Sequence, residues 1–272
     1  MSKKIHMIGV CGTAMGALAG QLVALGHSVR GSDAMFYPPM SDKLKEWGVT
    51  TLHGFDGSHL EPDLDLVIVG NVVRRDNPEA VEMRDRELPY MSMAEAIAEF
   101  MIGGKHSIVI AGTHGKTTTT ALGTHVLKTL DQDPSYLVGG ALVGYRDSFR
   151  TSDGSVFIIE GDEYDTAYFD KGPKFRHYRA QTAVITSLEF DHADIFDSVE
   201  DVEAAFALLI ESVSADGHVV VSKAASRAFR LLTELGFAGR VTSYSASESD
   251  ADYWASDIDV GPEGTAFKLH HG

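Results

Sequence analysis

The sequence predicts an α/β fold made of two units in series, each built on a parallel sheet. Three observations carry this. Short apolar runs of strand length alternate with helix-length segments through the 272 residues, and such alternation implies parallel strands covered by helices on both faces. Glycine-rich turns follow two of those runs directly: Gly9, Gly12 and Gly16 around the end of 5–10, and Gly112 and Gly115 after 106–111. A tight glycine turn between strand and helix is where open α/β sheets bind phosphate groups. Between the two patterns lies Gly103-Gly104, a linker that divides the chain into 1–103 and 104–272.

The first unit opens with a buried strand over 5–10 (IHMIGV), and a helix pattern follows from Thr13 to about Leu25, stopped by Gly26. A second strand over 27–31 runs into Gly31-Ser32-Asp33. Strand, glycine turn, helix, strand, acid is the first unit of a Rossmann-like, dinucleotide-type fold. The amides at the helix start, from Thr13, point at a diphosphate, and Asp33 stands where an acid reaches a ribose hydroxyl. Against G-x-G-x-x-G counted from Gly9, the second glycine falls on Cys11 and the third on Ala14. That departure speaks against a redox dinucleotide more than against another nucleotide. A plain tight turn with a solvated aspartate is the competing reading. Further on, Ser41 reads as the N-cap of a short helix ending at Gly48, 64–70 as a buried strand followed by Asn71, and Ser92 with Glu95 as a capping box for a helix near 93–101.

The second unit opens with the strand 106–111, the loop 112–117 (GTHGKT) and a helix over 117–130. Gly115 lets the backbone approach phosphate oxygens, Lys116 places a cation on the terminal phosphates, and Thr117 offers a hydroxyl to Mg²⁺. Gly112 stands only three residues before Gly115, so this is a shortened phosphate loop. A metal there needs a further oxygen, usually an acid at the end of a neighbouring strand. The strand 156–159 runs into Glu160, Asp162 and Glu163, and 183–187 runs into Glu189, Asp191 and His192. An acid cluster at a strand end is often only a solvated loop, and a single histidine is more often structural than a ligand. Ser198 and Asp201 form a second capping box, ahead of Val202, Phe206, Leu209, Ile210 and Val213 at helical spacing. A strand over 218–221, a helix over 224–235, a strand over 240–244, a turn at 261–264 and a strand over 265–270 complete a P-loop ATPase α/β domain that reads as incomplete at its C-terminus.

Composition sets outer limits. Hydrophobic residues make up 44% and charged residues 23%, an ordinary globular balance. The 23 basic and 39 acidic residues leave a net charge of −16, which argues against a general nucleic-acid binder, because duplex phosphates would be repelled. Small anions need only a local positive field. Cys11 is the only cysteine, so a disulfide framework is excluded and a cytoplasmic setting fits. No apolar run approaches the ~20 residues of a membrane helix. Lys3 and Lys4 before an apolar stretch suggest a secretory leader until His6 and the glycines are counted.

Taken together, GVCGTAMG (9–16), GSD (31–33), GNVVRRDNPE (70–79), AGTHGKTT (111–118), EGDEYD (160–165) and LEFDHADIF (188–196) resemble the Mur ligase family, in the family's order. Its members join amino acids or peptides to a UDP-muramic acid carboxylate. Within the family, YPPMS (37–41) and DEYDTAYFDKGPKFRHY (162–178) look like the branch that takes the murein tripeptide L-Ala-γ-D-Glu-meso-diaminopimelate in peptidoglycan recycling. The L-alanine-adding branch usually has a shorter stretch, a serine where Tyr164 stands and an asparagine where Ser187 stands.

The resemblance implies that UDP-N-acetylmuramate sits in the first unit, with Thr13, Ala14 and Met15 near the diphosphate, Asp33 near the uridine end, and Gly12, Ser32 and Asn71 also in the site. It implies that Gly112, Thr113, His114, Gly115, Lys116, Thr117 and Thr118 bind ATP. Thr117 and Glu160 would hold one Mg²⁺, with Glu160 and His192 around a second, which makes Lys116, Glu160 and His192 the catalytic set. The reaction implied runs through an acyl phosphate. The family has a third domain, and the resemblance implies that the sequence stops before it. The expectation is therefore a chain that binds its nucleotides but ligates poorly, with an exposed sheet edge and a monomer or weak dimer as its state. An L-alanine ligase and a nucleotide-binding module without turnover are the alternatives.

Overall fold

The computed structural model describes residues 2–190 and 196–272. β1 (Lys4–Ile8), α1 (Thr13–Ala24) and β2 (Ser28–Asp33) form the opening strand–turn–helix–strand unit. β1 and β2 pair in parallel from Lys4↔Ser28 to Ile8↔Ser32. That register brings the glycine turn and the Ser32-Asp33 strand end to one edge, where the amides of Gly9 and Val10 both donate to the Ser32 carbonyl.

α2 (Met40–Glu46) packs on α1 where α1 lacks side chains. A Cβ at Gly16 would lie 2.2 Å from Met40 Sδ, and one at Gly20 would lie 2.6 Å from the Trp47 ring. This contact corrects the expected start of the helix. Ser41 lies inside it and Pro39 is the N-cap, because Met40 docking against Gly16 fixes the first turn more strongly than the serine's local cap chemistry.

β3 (Thr50–His53), β4 (Leu66–Val69), α3 (Pro78–Asp85) and β5 (Tyr90–Ser92) complete a five-stranded sheet of order β3-β2-β1-β4-β5, parallel throughout. α3 is capped by Asn77, whose side chain accepts from the amides of Glu79 and Ala80. Ser92 and Glu95 form the expected reciprocal capping box. It opens α4 (Met93–Ala96), which continues as the π-helical turn Ile97–Ile102 and ends at Gly103.

The second sheet begins with β6 (His106–Ala111) and α5 (Lys116–Thr129). β7 (Ser135–Leu137), β8 (Phe149–Arg150) and β9 (Val156–Glu160) follow. β10 (Asp165–Ala167) and β11 (Asp170–Pro173) stand apart as a small antiparallel hairpin. β12 (Thr182–Ile185), α6 (Val199–Ser212), β13 (His218–Ser222), α7 (Ser226–Glu234), β14 (Arg240–Ser245), β15 (Tyr253–Gly261) and β16 (Gly264–His271) close the chain. The order β16-β15-β14-β13-β12-β6-β9-β7-β8 makes nine strands. Its centre is parallel, and β7–β8 and β15–β16 are antiparallel pairs at its two edges, so the second sheet is mixed. β15 escapes sequence reading because a bulge between Ser256 and Asp259, with Asp257 at φ 51°, breaks the two-residue alternation.

This order positions the site. β6 lies between β9 and β12, with Ile110↔Glu160 and Ala111↔Ile185 in register, so three strand ends converge on one edge. One core runs through both sheets, from Ile5 and Leu18 through Ile97 and Met101 to Val109, Phe157, Phe175 and Phe206. Two polar-aromatic clasps also join the sheets. Lys43 pairs with Asp147 at 2.5 Å while Trp47 meets Phe149 edge-on at 5.2 Å. Arg84 donates to the Tyr168 hydroxyl at 2.8 Å while Tyr90 meets Phe169 at 5.0 Å.

Candidate active site

The loop after β6 is shaped by two glycines and braced by the end of β12. Gly112 has φ 146°, and a Cβ there would lie 2.0 Å from Thr186 Oγ1. Gly115, at φ 81°, is the N-cap of α5. Neither position accepts another residue without strain. The Thr186 hydroxyl donates to the carbonyls of Ala111 (3.1 Å) and His114 (2.6 Å). The Ser187 hydroxyl accepts from the His114 amide at 2.8 Å and lies 2.9 Å from Thr113 Oγ1. The loop is therefore held from behind. The first amides of α5 and its positive dipole end mark its mouth as suited to phosphate.

Lys116 Nζ donates to the Gly112 carbonyl at 2.7 Å and pairs with Glu163 at 3.0 Å. The Glu163 side chain is only 1% exposed. The cation is thus fixed beside the loop by a carbonyl and a buried carboxylate. Thr117 Oγ1 donates to Glu160 Oε2 at 3.0 Å, and the Gly139 amide donates to Glu160 Oε1 at 2.6 Å. Thr117 and Glu160 are thereby brought together across 43 residues of chain. A hydroxyl and a carboxylate are the hard oxygen donors that Mg²⁺ accepts while keeping several waters, so these two residues fit the ion. Among the described residues no cluster of three or more histidine, cysteine, aspartate or glutamate side chains is gathered for a metal. His192 and Asp191 lie outside the described residues.

Lys116, Thr117, Gly139 and Glu160 line a cleft of about 560 Å³ that also takes Thr13, Ala14, Met93 and Ile97 from the first unit. Lys174 and Asp162 line the same cleft and pair at 2.9 Å, and Asp162 also accepts from the Tyr164 amide at 2.8 Å. Tyr178 is buried beside them. Burial, reinforced by the negative charges of Asp162 and Glu160, pushes its phenol far above the usual range and keeps it protonated.

The other first-unit candidates are distributed differently. Asp33 accepts from the Cys11 amide at 2.8 Å and helps line a separate cleft of about 460 Å³ with Gly9, Phe55, Val73 and Asn77. Ser32 is fully buried and its hydroxyl donates to Glu79 at 2.5 Å. Met15 is buried, and Asn71 is exposed outside the two clefts. The sequence reading missed Lys174, Tyr178 and Gly139, and missed that Glu163 is the partner of Lys116. Strand-end acids were a usable signal for Glu163. A lysine within the aromatic stretch KFRHY carries no such signal.

Comparison with known proteins adds an independent line. The model of the Mur ligase family catalytic domain matches residues 4–105, and that of the Mur ligase middle domain matches 110–272. The UDP-N-acetylmuramate–L-alanyl-γ-D-glutamyl-meso-2,6-diaminoheptandioate ligase of Escherichia coli is 42% identical over 217 residues, 80% of this chain and 48% of that protein. The UDP-N-acetylmuramate–L-alanine ligase of Clostridium acetobutylicum is 34% identical over 231 residues, 85% of this chain and 48% of that one. The crystal structure of the UDP-N-acetylmuramate:L-alanyl-γ-D-glutamyl-meso-diaminopimelate ligase from Neisseria meningitides superposes with a TM-score of 0.90 at 34% identity, covering 100% of this chain and 85% of the other. The chain spans about half the length of the curated relatives it matches.

Proposed function

The chain belongs to the Mur ligase family, and from that premise we propose that it provides the two nucleotide sites of an ATP-dependent amide ligase. The substrates proposed are UDP-N-acetylmuramate, ATP and the tripeptide L-Ala-γ-D-Glu-meso-diaminopimelate. The observation that carries the reading is the single cleft in which Lys116, Thr117 and Glu160 face the α1 start at Thr13 and Ala14. A triphosphate on the loop and a sugar diphosphate at α1 would present their reacting ends to each other there.

The chemistry follows from those groups. A carboxylate oxygen of the sugar's lactyl arm attacks the γ-phosphorus. The bond from that phosphorus to the bridging oxygen breaks, and ADP leaves with the electron pair. The tripeptide amine then attacks the acyl carbon, inorganic phosphate departs and the nitrogen gives up a proton. Lys116 spreads the charge that builds on the γ-phosphate oxygens, and the loop amides hold them in line. Mg²⁺ on Thr117 and Glu160 would neutralise the same oxygens. The buried Tyr178 and the apolar Met93 and Ile97 wall keep water from competing for the acyl group. The tripeptide as acceptor is supported by the E. coli relative at 42% identity and by the 162–178 stretch.

The test is mass spectrometry of products from this chain incubated with UDP-N-acetylmuramate, Mg·ATP and equal amounts of L-alanine and tripeptide. Nucleotide binding with little turnover is expected of the chain alone, and any product is expected to be the tripeptide adduct. An alanine adduct would move the assignment to the L-alanine branch. Failure to bind either nucleotide would overturn the proposal.

A further inference from the structure

Lys174 is a second lysine in the cleft, and the phosphate loop does not account for it. Its side chain is 7% exposed, its Nζ lies 2.9 Å from Asp162 Oδ2, and it stands over the Tyr164 ring at 5.6 Å. Lysine is almost never buried to this degree without a partner. The partner is not buried with it: the Asp162 side chain is 39% exposed, so the pair opens onto the cleft.

The reaction proposed above brings two anions together, a carboxylate and a triphosphate. Lys116 is committed to the triphosphate by its place on the loop, bonded to the Gly112 carbonyl. Lys174 is the other lysine that lines the cleft, and no role in the proposed metal or triphosphate binding occupies it. The lactyl arm hangs from a sugar whose diphosphate would lie at the α1 start, so it falls between Thr13-Ala14 and the loop. Lys174 lines that same space. Its ammonium is a compact charge with three donors, suited to exchanging one carboxylate for another.

We propose that Lys174 is the receptor for the substrate carboxylate, which displaces Asp162 and is held beside the γ-phosphate. This inference rests on the ligase reading, and its test separates the two. Isothermal titration of the chain is done with UDP-N-acetylmuramate and with UDP-N-acetylglucosamine, which differs only in lacking the lactyl arm. The wild type is expected to prefer the muramyl compound. Lys174→Met is expected to lose about tenfold or more of muramyl affinity, to keep its affinity for the glucosamine compound and so to lose the preference. Lys174→Arg is expected to keep part of it. Asp162→Asn removes the competing carboxylate and is expected to widen the preference, which keeps the idea testable if Lys174→Met does not fold. A Lys174→Met chain that still prefers the muramyl compound, or an Asp162→Asn chain whose preference does not widen, overturns the inference and leaves the ligase reading standing. A wild type that binds neither sugar nucleotide overturns both.

Discussion

Glu79 is fully buried in the first unit, and its carboxylate gathers three segments. His6 Nε2 lies 2.9 Å away, His59 Nδ1 2.7 Å, and the Ser32 hydroxyl 2.5 Å. The second ring nitrogen of His6 is buried with no partner among the described residues, so Nε2 is the nitrogen that donates to Glu79. Burial alone would raise the Glu79 carboxyl, but the hydrogen bonds from His6, Ser32 and His59 and the charge on His6 outweigh it and hold it below its usual value of 4.5. A carboxyl with a lowered folded value contributes stability above pH 4.5 and loses it as pH falls through the folded value. Urea midpoints measured from pH 7 downward are therefore expected to fall more steeply in the wild type than in Glu79→Gln. Glu79→Ala, which strips the partner from buried polar groups, is expected to cost about 3 kcal/mol at pH 7. Little of this was legible in the sequence: Glu79 appears only within a motif, and its partners are 73, 47 and 20 residues away. Gly112 is the opposite case, since a strand followed by GTHGKT announces a phosphate loop. Gly112→Ala drives a Cβ into Thr186 at a φ of 146° and is expected to abolish ATP binding, read by titration with a non-hydrolysable analogue, beyond any loss of stability.

The elements divide by how locally their signals are written. The capping boxes at Ser92–Glu95 and Ser198–Asp201 appear in the structure as the sequence predicts, because a cap satisfies backbone groups within four residues of itself. α6 is similarly legible. Val202, Phe206, Leu209 and Ile210 form its buried face, and Phe206 stacks obliquely on Phe175 at 5.8 Å. Phe206→Ala is expected to cost about 3–5 kcal/mol, seen as a lower urea midpoint with an unchanged slope. The β10–β11 hairpin was not legible. Its strands are three and four residues long, and its tip is ordered by the other sheet, with Tyr168 and Phe169 packed against the cluster of Ile8, Leu60, Val69 and Met83. That hairpin follows Asp162–Tyr164 directly and runs into Lys174, so it joins two stretches that line the cleft. Tyr168→Ala is expected to raise the Kd for UDP-N-acetylmuramate severalfold while leaving ATP affinity nearly unchanged, because the loop is braced from β12 instead. Equal losses for both ligands would show that the hairpin does no more than stabilise the fold.

At the scale of the molecule, the two units share a core as well as a cleft. Their separate sheets and the Gly103-Gly104 break suggest independent melting, and the sequence offers no counter-signal, because the residues that join them are ordinary apolar positions. The joint is the π-helical turn, where Ile97, Met101 and Ile102 are each no more than 2% exposed and belong to the core cluster that reaches Leu22 on one side and Phe175 on the other. A continuous core of this kind couples unfolding across its length, and the clasps at Trp47–Phe149 and Arg84–Tyr168 tie its two rims. Calorimetry is therefore expected to show one transition for the chain, with calorimetric and van't Hoff enthalpies equal. Met101→Ala opens a cavity at the joint, at a cost of about 2–5 kcal/mol, and adding Trp47→Ala releases one rim. The double variant is expected to melt in two steps, with ATP analogues raising only the step that belongs to the second sheet. Two resolved transitions in the wild type would mean that the shared core does not couple the units. The alignment of Thr13 with the phosphate loop would then depend on ligands and not on the folded chain.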